Sequence, residues 1–311
     1  MRVKVLGSAA GGGFPQWNCA CSNCNRLRSG RLRGAARTQT QLAFTTDSHS
    51  WFLLSASPDL RSQICATKEL FPGKDPLEST IAGVFLPSAD VDSILGLMHL
   101  REFQTFFVFA TSAVQRILQK ENRIFRVLER ADPPVKWVTV SNKGRLGCHL
   151  NGEPGTPPEF LCTTVPTGGA YPDYVSDELV RTLPLDEAVS GFVIQKADKR
   201  FFFAPSLSGK NPGLWRTAAE NCDVAFVDGT FWSDEELRKT GRSQRTAREI
   251  GHLPLSGAEG LLAQYPKDAK GRKILVHINN TNPILDEESA EHRAVLEAGF
   301  EIGYDGMDVE L

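Results

Sequence analysis

The sequence predicts a layered α/β fold, and three observations carry that prediction. Short apolar runs of strand length alternate with amphipathic segments along the whole chain. Turn residues separate neighbouring apolar runs at Thr46-Asp47-Ser48 and Ala197-Asp198-Lys199, as hairpins require. Apolar residues make up 41% of 311, enough to bury a sizeable core. Disordered, collagen-like and coiled-coil architectures are excluded by the same composition, and hairpins mixed with strand–helix units are expected to form one domain over 1–311.

Strands are expected at 3–6, 41–45, 51–55, 81–86, 106–110 and 137–140, then at 160–165, 191–195, 200–204, 224–227, 273–278 and 301–304. Most are rich in Val, Ile, Leu or Phe, the side chains that fit a pleated, half-buried surface. Helices are expected to begin near Pro58, Val91, Ser112, Pro212, Asp234, Ala258 and Glu287. Ser233-Asp234-Glu235-Glu236 fits a capping box, in which the serine hydroxyl and the glutamate carboxylate each satisfy an orphan backbone donor. Val114, Ile117, Leu118, Ile124, Phe125 and Leu128 recur at helical spacing and read as a core face. Segments 144–158 and 167–172 are rich in Gly and Pro and read as loops.

Charge narrows the partners. With 35 Lys+Arg against 37 Asp+Glu there is no basic surplus to neutralise phosphates, so nucleic acid is not expected, and the cluster at 26–37 reads as a solvated face. No apolar run approaches the roughly 18 residues of a membrane span, and the N-terminus, an alternating strand start, lacks a signal-peptide core. A cytoplasmic location is expected, and the oligomeric state, a homo-oligomer included, is left open.

Of seven cysteines, three crowd into Cys19-Ala20-Cys21-Ser22-Asn23-Cys24. Three thiols within six residues can converge on one soft cation, so a zinc-binding loop is expected at 17–26, with unrelated thiols or redox chemistry as the alternatives. Tetrahedral zinc needs a fourth ligand, for which Asn280 and Asp286 are candidates. A closed site of this kind is structural: it pins a loop with little core of its own.

Other chemistry-bearing residues stand where strands end. Gly7-Ser8-Ala9-Ala10-Gly11-Gly12-Gly13 matches no nucleotide-binding pattern and reads as backbone free to approach a ligand or another strand. Asp90 and Asp92 follow the strand at 81–86; they are placed to bind a metal, or equally to cap the next helix and complement its dipole. Asp228 closes the strand at 224–227, and His252 and His277 occupy comparable settings. His277 ends an apolar run, where an imidazole needs a partner.

Together these segments resemble the pyrroloquinoline quinone biosynthesis protein B family of the metallo-β-lactamase superfamily. The resemblance runs end to end. It is carried by Val5-Leu6-Gly7-Ser8-Ala9-Ala10-Gly11-Gly12-Gly13-Phe14-Pro15-Gln16-Trp17-Asn18-Cys19 and by Ser55-Ala56-Ser57-Pro58-Asp59-Leu60-Arg61. Gly96-Leu97-Met98-His99-Leu100-Arg101-Glu102, Val227-Asp228-Gly229-Thr230 and His277-Ile278-Asn279-Asn280-Thr281-Asn282-Pro283 complete it. It implies a four-layer αββα sandwich and an enzyme that oxidises a tyrosine-derived ring in a peptide-derived Glu–Tyr precursor. A carboxylate and two imidazoles would hold non-haem Fe2+ with positions left open.

Carried over by position, Asp92 matches the acidic ligand and His277 the terminal histidine, with Asp90 beside them. Asp228 and His252 resemble an acid–histidine pair that assists proton transfer in related phosphodiesterases. The chain departs from the family at Ser93, where a histidine ligand is expected. It also lacks the superfamily histidine in 165–168 and the bridging aspartate in 204–206, which argues against a dinuclear phosphodiesterase. Three readings follow: an iron oxygenase acting on a small-molecule or peptide-derived amino-acid substrate, a phosphodiester hydrolase, and a non-catalytic paralogue that keeps the fold and the zinc. The first fits the residues best.

Overall fold

Period-two alternation sorts the apolar side chains of this chain onto two faces of each strand, and two packed sheets are the result. The computed structural model describes residues 1–311 except 74–78, 103, 131, 133, 143, 150–156, 211 and 242. Its first half contributes β1 (Arg2–Gly7), β2 (Gln41–Thr45), β3 (Trp51–Leu54), β4 (Ile81–Phe85), β5 (Phe107–Ala110) and β6 (Lys136–Thr139). The second half contributes β7 (Arg145–Cys148), β8 (Phe160–Pro166), β9 (Ser190–Lys196), β10 (Lys199–Ala204), β11 (Val224–Asp228), β12 (Arg272–Val276), β13 (Glu301–Ile302) and β14 (Asp308–Glu310). One sheet runs β14-β1-β2-β3-β4-β5-β6 and the other β13-β12-β11-β10-β9-β8-β7.

The two sheets face one another across a phenylalanine-rich core. Phe44 stacks on Phe52 at 5.3 Å and meets Phe160 and Phe201 of the opposite sheet edge-on at 5.2 and 5.3 Å. Phe201 and Phe203 belong to this core, whereas Phe202 between them turns to the outer face, as strand geometry demands. Helices cover the outer faces. Leu60–Ala66, Val91–Ile94 and Ser112–Arg116 bury Leu60, Ile94 and Val114 against the first sheet. Pro212–Glu220, Leu261–Gln264 and Ala290–Glu297 bury Trp215, Leu261 and Val295 against the second. Helix, sheet, sheet, helix is the expected four-layer αββα sandwich. Among the described residues no helix is long and apolar enough to cross a membrane.

In each sheet one half is antiparallel and the other parallel. Strands β3 to β6 run parallel, as do β10 to β13. Parallel strands deliver their carboxyl ends to one edge, which is where open α/β sheets bind ligands. Asp90 and Asp92 follow β4, Asp228 ends β11, and His277 follows β12.

Four local expectations are corrected. Segment 144–158 is not all loop: β7 pairs antiparallel with β8, and 150–156 lie outside the described residues. Strand β14 had no periodic signal, because only Val309 of its three residues is buried; its register against β1 places Asp308 beside Arg2 and Lys4. The apolar series from Val114 to Leu128 is not one helix. Asn122 closes the turn by donating its backbone N–H and its side-chain amide to the Ile117 carbonyl at 3.1 and 2.7 Å, and a 3₁₀ segment, Arg123–Arg130, follows with Ile124 exposed. The helix expected near Asp234 is Glu236–Lys239, capped at Glu235 with no side-chain cap bond, and the Glu236 carboxylate instead reaches back to the Trp232 N–H at 2.7 Å.

Candidate metal centre and active site

Cysteines 19, 21 and 24 lie on a loop that turns into the helix Ser22–Arg28, so one turn of backbone brings the three sulfurs together. Their sulfurs lie within 4.8 Å of one another. The Asn280 amide faces all three, at 3.1 Å from Cys19, 3.5 Å from Cys21 and 3.3 Å from Cys24. Asn23 straps the loop down by donating to the carbonyls of Asn280 and Asn282 at 3.2 and 2.9 Å. The other candidate fourth ligand, Asp286, is engaged elsewhere, in a 2.6 Å ion pair with Arg26. Burial pushes the Cys21 thiol up to about 11. A divalent cation would supply the positive charge that lets three crowded thiols ionise, so the donor set fits zinc.

The loop that carries Asn280 is tied to a buried acid. Glu236 accepts from Trp232 N–H and from the Thr281 hydroxyl, and burial pushes its carboxyl up to about 7. A folded value above the ordinary 4.5 means that the charged form is the penalised one. Stability linked to Glu236 is therefore whole below the unfolded value and is lost as pH rises through about 7. Denaturant titrations should show the unmodified protein losing about 2 kcal/mol between about pH 5 and pH 8 relative to Glu236→Gln. Parallel pH profiles for the two proteins would contradict this.

At the edge of the parallel strands a second group assembles around Asp228-Gly229-Thr230. A Cβ on Gly229 would stand 3.0 Å from the Val276 carbonyl oxygen and 3.1 Å from Leu275 Cβ, so glycine is what lets the end of β11 close on β12. His277 holds a left-handed backbone (φ 58°), a strained conformation for a non-glycine residue and one that clusters at functional sites. The glycine-rich loop makes the close approach its composition suggested. Ala10 N–H donates to the Ile278 carbonyl and Ile278 N–H to the Ser8 carbonyl, both at 2.9 Å, while a Cβ on Gly11 would stand 3.2 Å from Asp92 Oδ2.

Fully buried Asp228 accepts four hydrogen bonds. Oδ1 takes the Thr230 N–H and hydroxyl at 2.9 and 2.5 Å; Oδ2 takes Leu207 N–H at 2.9 Å and His252 Nδ1 at 2.8 Å. Burial works against its charge, but the His252 and His277 imidazoles and these bonds outweigh it and hold the carboxyl below the ordinary range. With its hydroxyl proton given to Asp228, the Thr230 oxygen accepts from His277 Nδ1 at 2.8 Å. His277 Nε2 then faces Asp92 Oδ2 at 3.2 Å. The His252 and His277 rings lie 5.4 Å apart and 20° from parallel.

Charge sorts the two acids after β4. Burial opposes ionisation of Asp92, yet the bond to His277 and the nearby imidazoles hold its carboxyl low. Burial also opposes a charged His277, and the bond to Asp92 with the charges of Asp92, Asp228 and Asp90 raises it nonetheless. Asp90 is pushed up by burial and by the Asp92 charge, and its Oδ2 accepts the Ser88 hydroxyl at 2.7 Å.

Asp90, Asp92, His252 and His277 line one cavity of about 640 Å³, whose wall at 169–174 includes Tyr171 and Tyr174. The structure thus brings Asp92, His277, His252 and Asp228 together in a continuous network, and turns Asp90 toward its own loop. Ser93 lines the same cavity and offers only a hydroxyl. One carboxylate with two imidazoles is a donor set that fits ferrous iron, and Asp92 Oδ2 beside His277 Nε2 supplies its first two members. In the sequence Thr230 stands out only as part of the segment Val227-Asp228-Gly229-Thr230; its place as the hub between Asp228 and both histidines depends on the β11–β12 approach.

Comparison with known proteins agrees with this architecture. A β-lactamase superfamily domain matches residues 50–278. Coenzyme PQQ synthesis protein B from Azoarcus sp. (strain BH72) is 38% identical over 314 residues, and its counterpart from Pseudomonas protegens 37% over 313, each match covering 100% of both chains. The crystal structure of Zn2+-bound PqqB from Methylobacterium extorquens superposes with a TM-score of 0.89 at 33% identity, again over 100% of both chains. A diphosphatase of the PhnP family shares the fold, with a TM-score of 0.67 at 16% identity over 100% of this chain and 97% of that one. With full-length identity of this order, the chain belongs to the coenzyme PQQ synthesis protein B family of the β-lactamase superfamily.

Proposed function

We propose that this protein acts in pyrroloquinoline quinone biosynthesis by hydroxylating the tyrosine-derived ring of a peptide-derived precursor. The observation that carries the reading is the 3.2 Å approach of Asp92 Oδ2 to His277 Nε2 at the floor of a ligand-sized cavity, next to the hydrogen-bonded pair Asp228–His252. Asp92 and His277 would hold Fe2+, with Asp90 as a further donor lining the cavity, and Cys19, Cys21 and Cys24 would hold a structural Zn2+. Bound ferrous iron supplies the one-electron chemistry that activates dioxygen.

The chain's own residues do the rest. Thr230 accepts a hydrogen bond from His277 Nδ1, which orients the ring with Nε2 toward Asp92; Nε2 donates to Asp92 here and is the atom that would turn its lone pair to Fe2+. Asp228 does the same for His252 by accepting at Nδ1, so His252 Nε2 is the basic atom. In this reading His252 Nε2 receives the phenol proton as the ring is oxidised, and buried Asp228 stabilises the imidazolium that forms. The wall at 169–174 receives the ring against apolar and aromatic surface.

Ser93 favours a second reading, a paralogue that binds a pathway intermediate without converting it. One experiment separates the two. Protein loaded anaerobically with ferrous iron is given glutamyl-tyrosine, ascorbate and air, and the peptide is followed by mass spectrometry. Gain of one oxygen atom by the peptide, abolished in Asp92→Ala, is the expected result. Tight binding of an unchanged peptide would favour the second reading.

A further inference from the structure

The floor of the cavity carries acids and imidazoles, but its mouth is basic. Lys210, Arg245 and Arg248 all line it and all are exposed. Loops distant in sequence bring these cations to one side. A Cβ on Gly168 would stand 3.7 Å from Lys210 Cβ, one on Gly209 would stand 3.0 Å from Arg248 Nη1, and one on Gly251 would stand 3.7 Å from Gly169 Cα.

Little in the fold neutralises them. Among the described residues neither Lys210 nor Arg245 has an ion pair, and the acid paired with Arg248, Asp234, is 3.9 Å away. Arg245 donates to the Glu249 carbonyl at 2.6 Å and Arg248 to the Glu259 carbonyl at 2.8 Å, contacts that fix each guanidinium without cancelling its charge. Glu249 lines the mouth too, but its carboxylate is taken by the Thr246 N–H at 2.7 Å and by Arg238 at 3.4 Å. The other acid of the mouth is Asp173.

We propose that Lys210, Arg245 and Arg248 form a carboxylate-binding rim that fixes the anionic end of the substrate. A planar guanidinium held by one carbonyl still presents donors suited to a carboxylate, and a basic mouth concentrates anions before they dock. The charge pattern also orients the ligand. A carboxylate is held at the rim, where the cations lie, so a molecule with an acidic end and a neutral ring enters ring first. That the ring is tyrosine-derived rests on the function proposed above; the rim does not.

Isothermal titration calorimetry on the full chain tests this with three probes: glutamyl-tyrosine, the same dipeptide with both carboxyls converted to amides, and glutarate. The diacid dipeptide should bind the unmodified protein and weaken about tenfold in Arg245→Gln and in Arg248→Gln, with a smaller loss in Lys210→Gln. The diamide should bind more weakly and indifferently to these changes. Lys210 is exposed at the rim, so Lys210→Gln keeps the test open should Arg248→Gln disturb its bond to the Glu259 carbonyl. Equal affinity of all proteins for the diacid, a diamide as tight as the diacid, or no binding of either carboxylate probe would overturn the rim. Glutarate bound and then lost in the variants, with no gain from the tyrosine ring, would uphold the rim and count against the aromatic substrate.

Discussion

Cys24→Ser is expected to leave the protein without zinc and less stable by about 3 kcal/mol or more, the linkage free energy of an ion present at a hundred or more times its dissociation constant. Cys24 is fully buried, on the first turn of the helix Ser22–Arg28, and its sulfur is one of three that face the Asn280 amide. The loop has little else to hold it. Its side-chain anchors to the rest of the fold are Asn23 on the Asn280 and Asn282 carbonyls and Arg26 on Asp286, while Arg28 and Asn25 only brace the loop against its own carbonyls. Serine keeps the shape but replaces a soft thiolate with a hydroxyl that stays protonated, so the ion loses a charged ligand. Zinc per chain by plasma mass spectrometry, with the urea midpoint in the presence and absence of chelator, is the check. The unmodified protein should be chelator-sensitive and the variant should not; full zinc retention by Cys24→Ser would refute the site.

Asp228→Asn should lower turnover by about two to four orders of magnitude, the range associated with losing a positioned proton acceptor. The carboxylate is fully buried and accepts four hydrogen bonds, whereas an amide accepts on one oxygen only. If the amide nitrogen turns toward His252, it must donate to Nδ1, which forces the imidazole proton onto Nε2 and removes the base from the cavity. If it turns toward Thr230, it meets the Thr230 N–H instead and costs about 1–3 kcal/mol for an unsatisfied buried donor. Nitrogen NMR of the His252 ring reads the tautomer directly, alongside turnover and thermal stability. An unchanged tautomer with unchanged turnover would contradict the role given to Asp228.

Much of this architecture was legible from residue pattern because most strands are buried on both faces and announce themselves as apolar runs. Strands β7 and β14 were not, since each is short and half exposed and acquires its register only from a partner already in place: β8 for one, β1 for the other. The interrupted helix after Ser112 shows a different limit, because periodicity in Val114, Ile117 and Leu118 cannot reveal that Asn122 will compete for the Ile117 carbonyl. Within the candidate site, cysteine spacing and the placement of acids and histidines at strand ends marked which residues to watch. Choosing Asn280 over Asp286 as the residue facing the sulfurs required the Arg26 ion pair to be seen. Lys210, Arg245 and Arg248 read as ordinary solvated charges until the loops at 168–169, 209–210 and 248–251 set them around one cavity.

The metal content of protein purified anaerobically and supplied with ferrous iron, measured by plasma mass spectrometry, decides whether Asp92 and His277 hold a metal. One zinc and one iron per chain are expected, with iron lost and zinc kept in Asp92→Ala and His277→Ala. One zinc alone in the unmodified protein, with iron acquired only by Ser93→His, would contradict that assignment and leave a pocket that binds without oxidising.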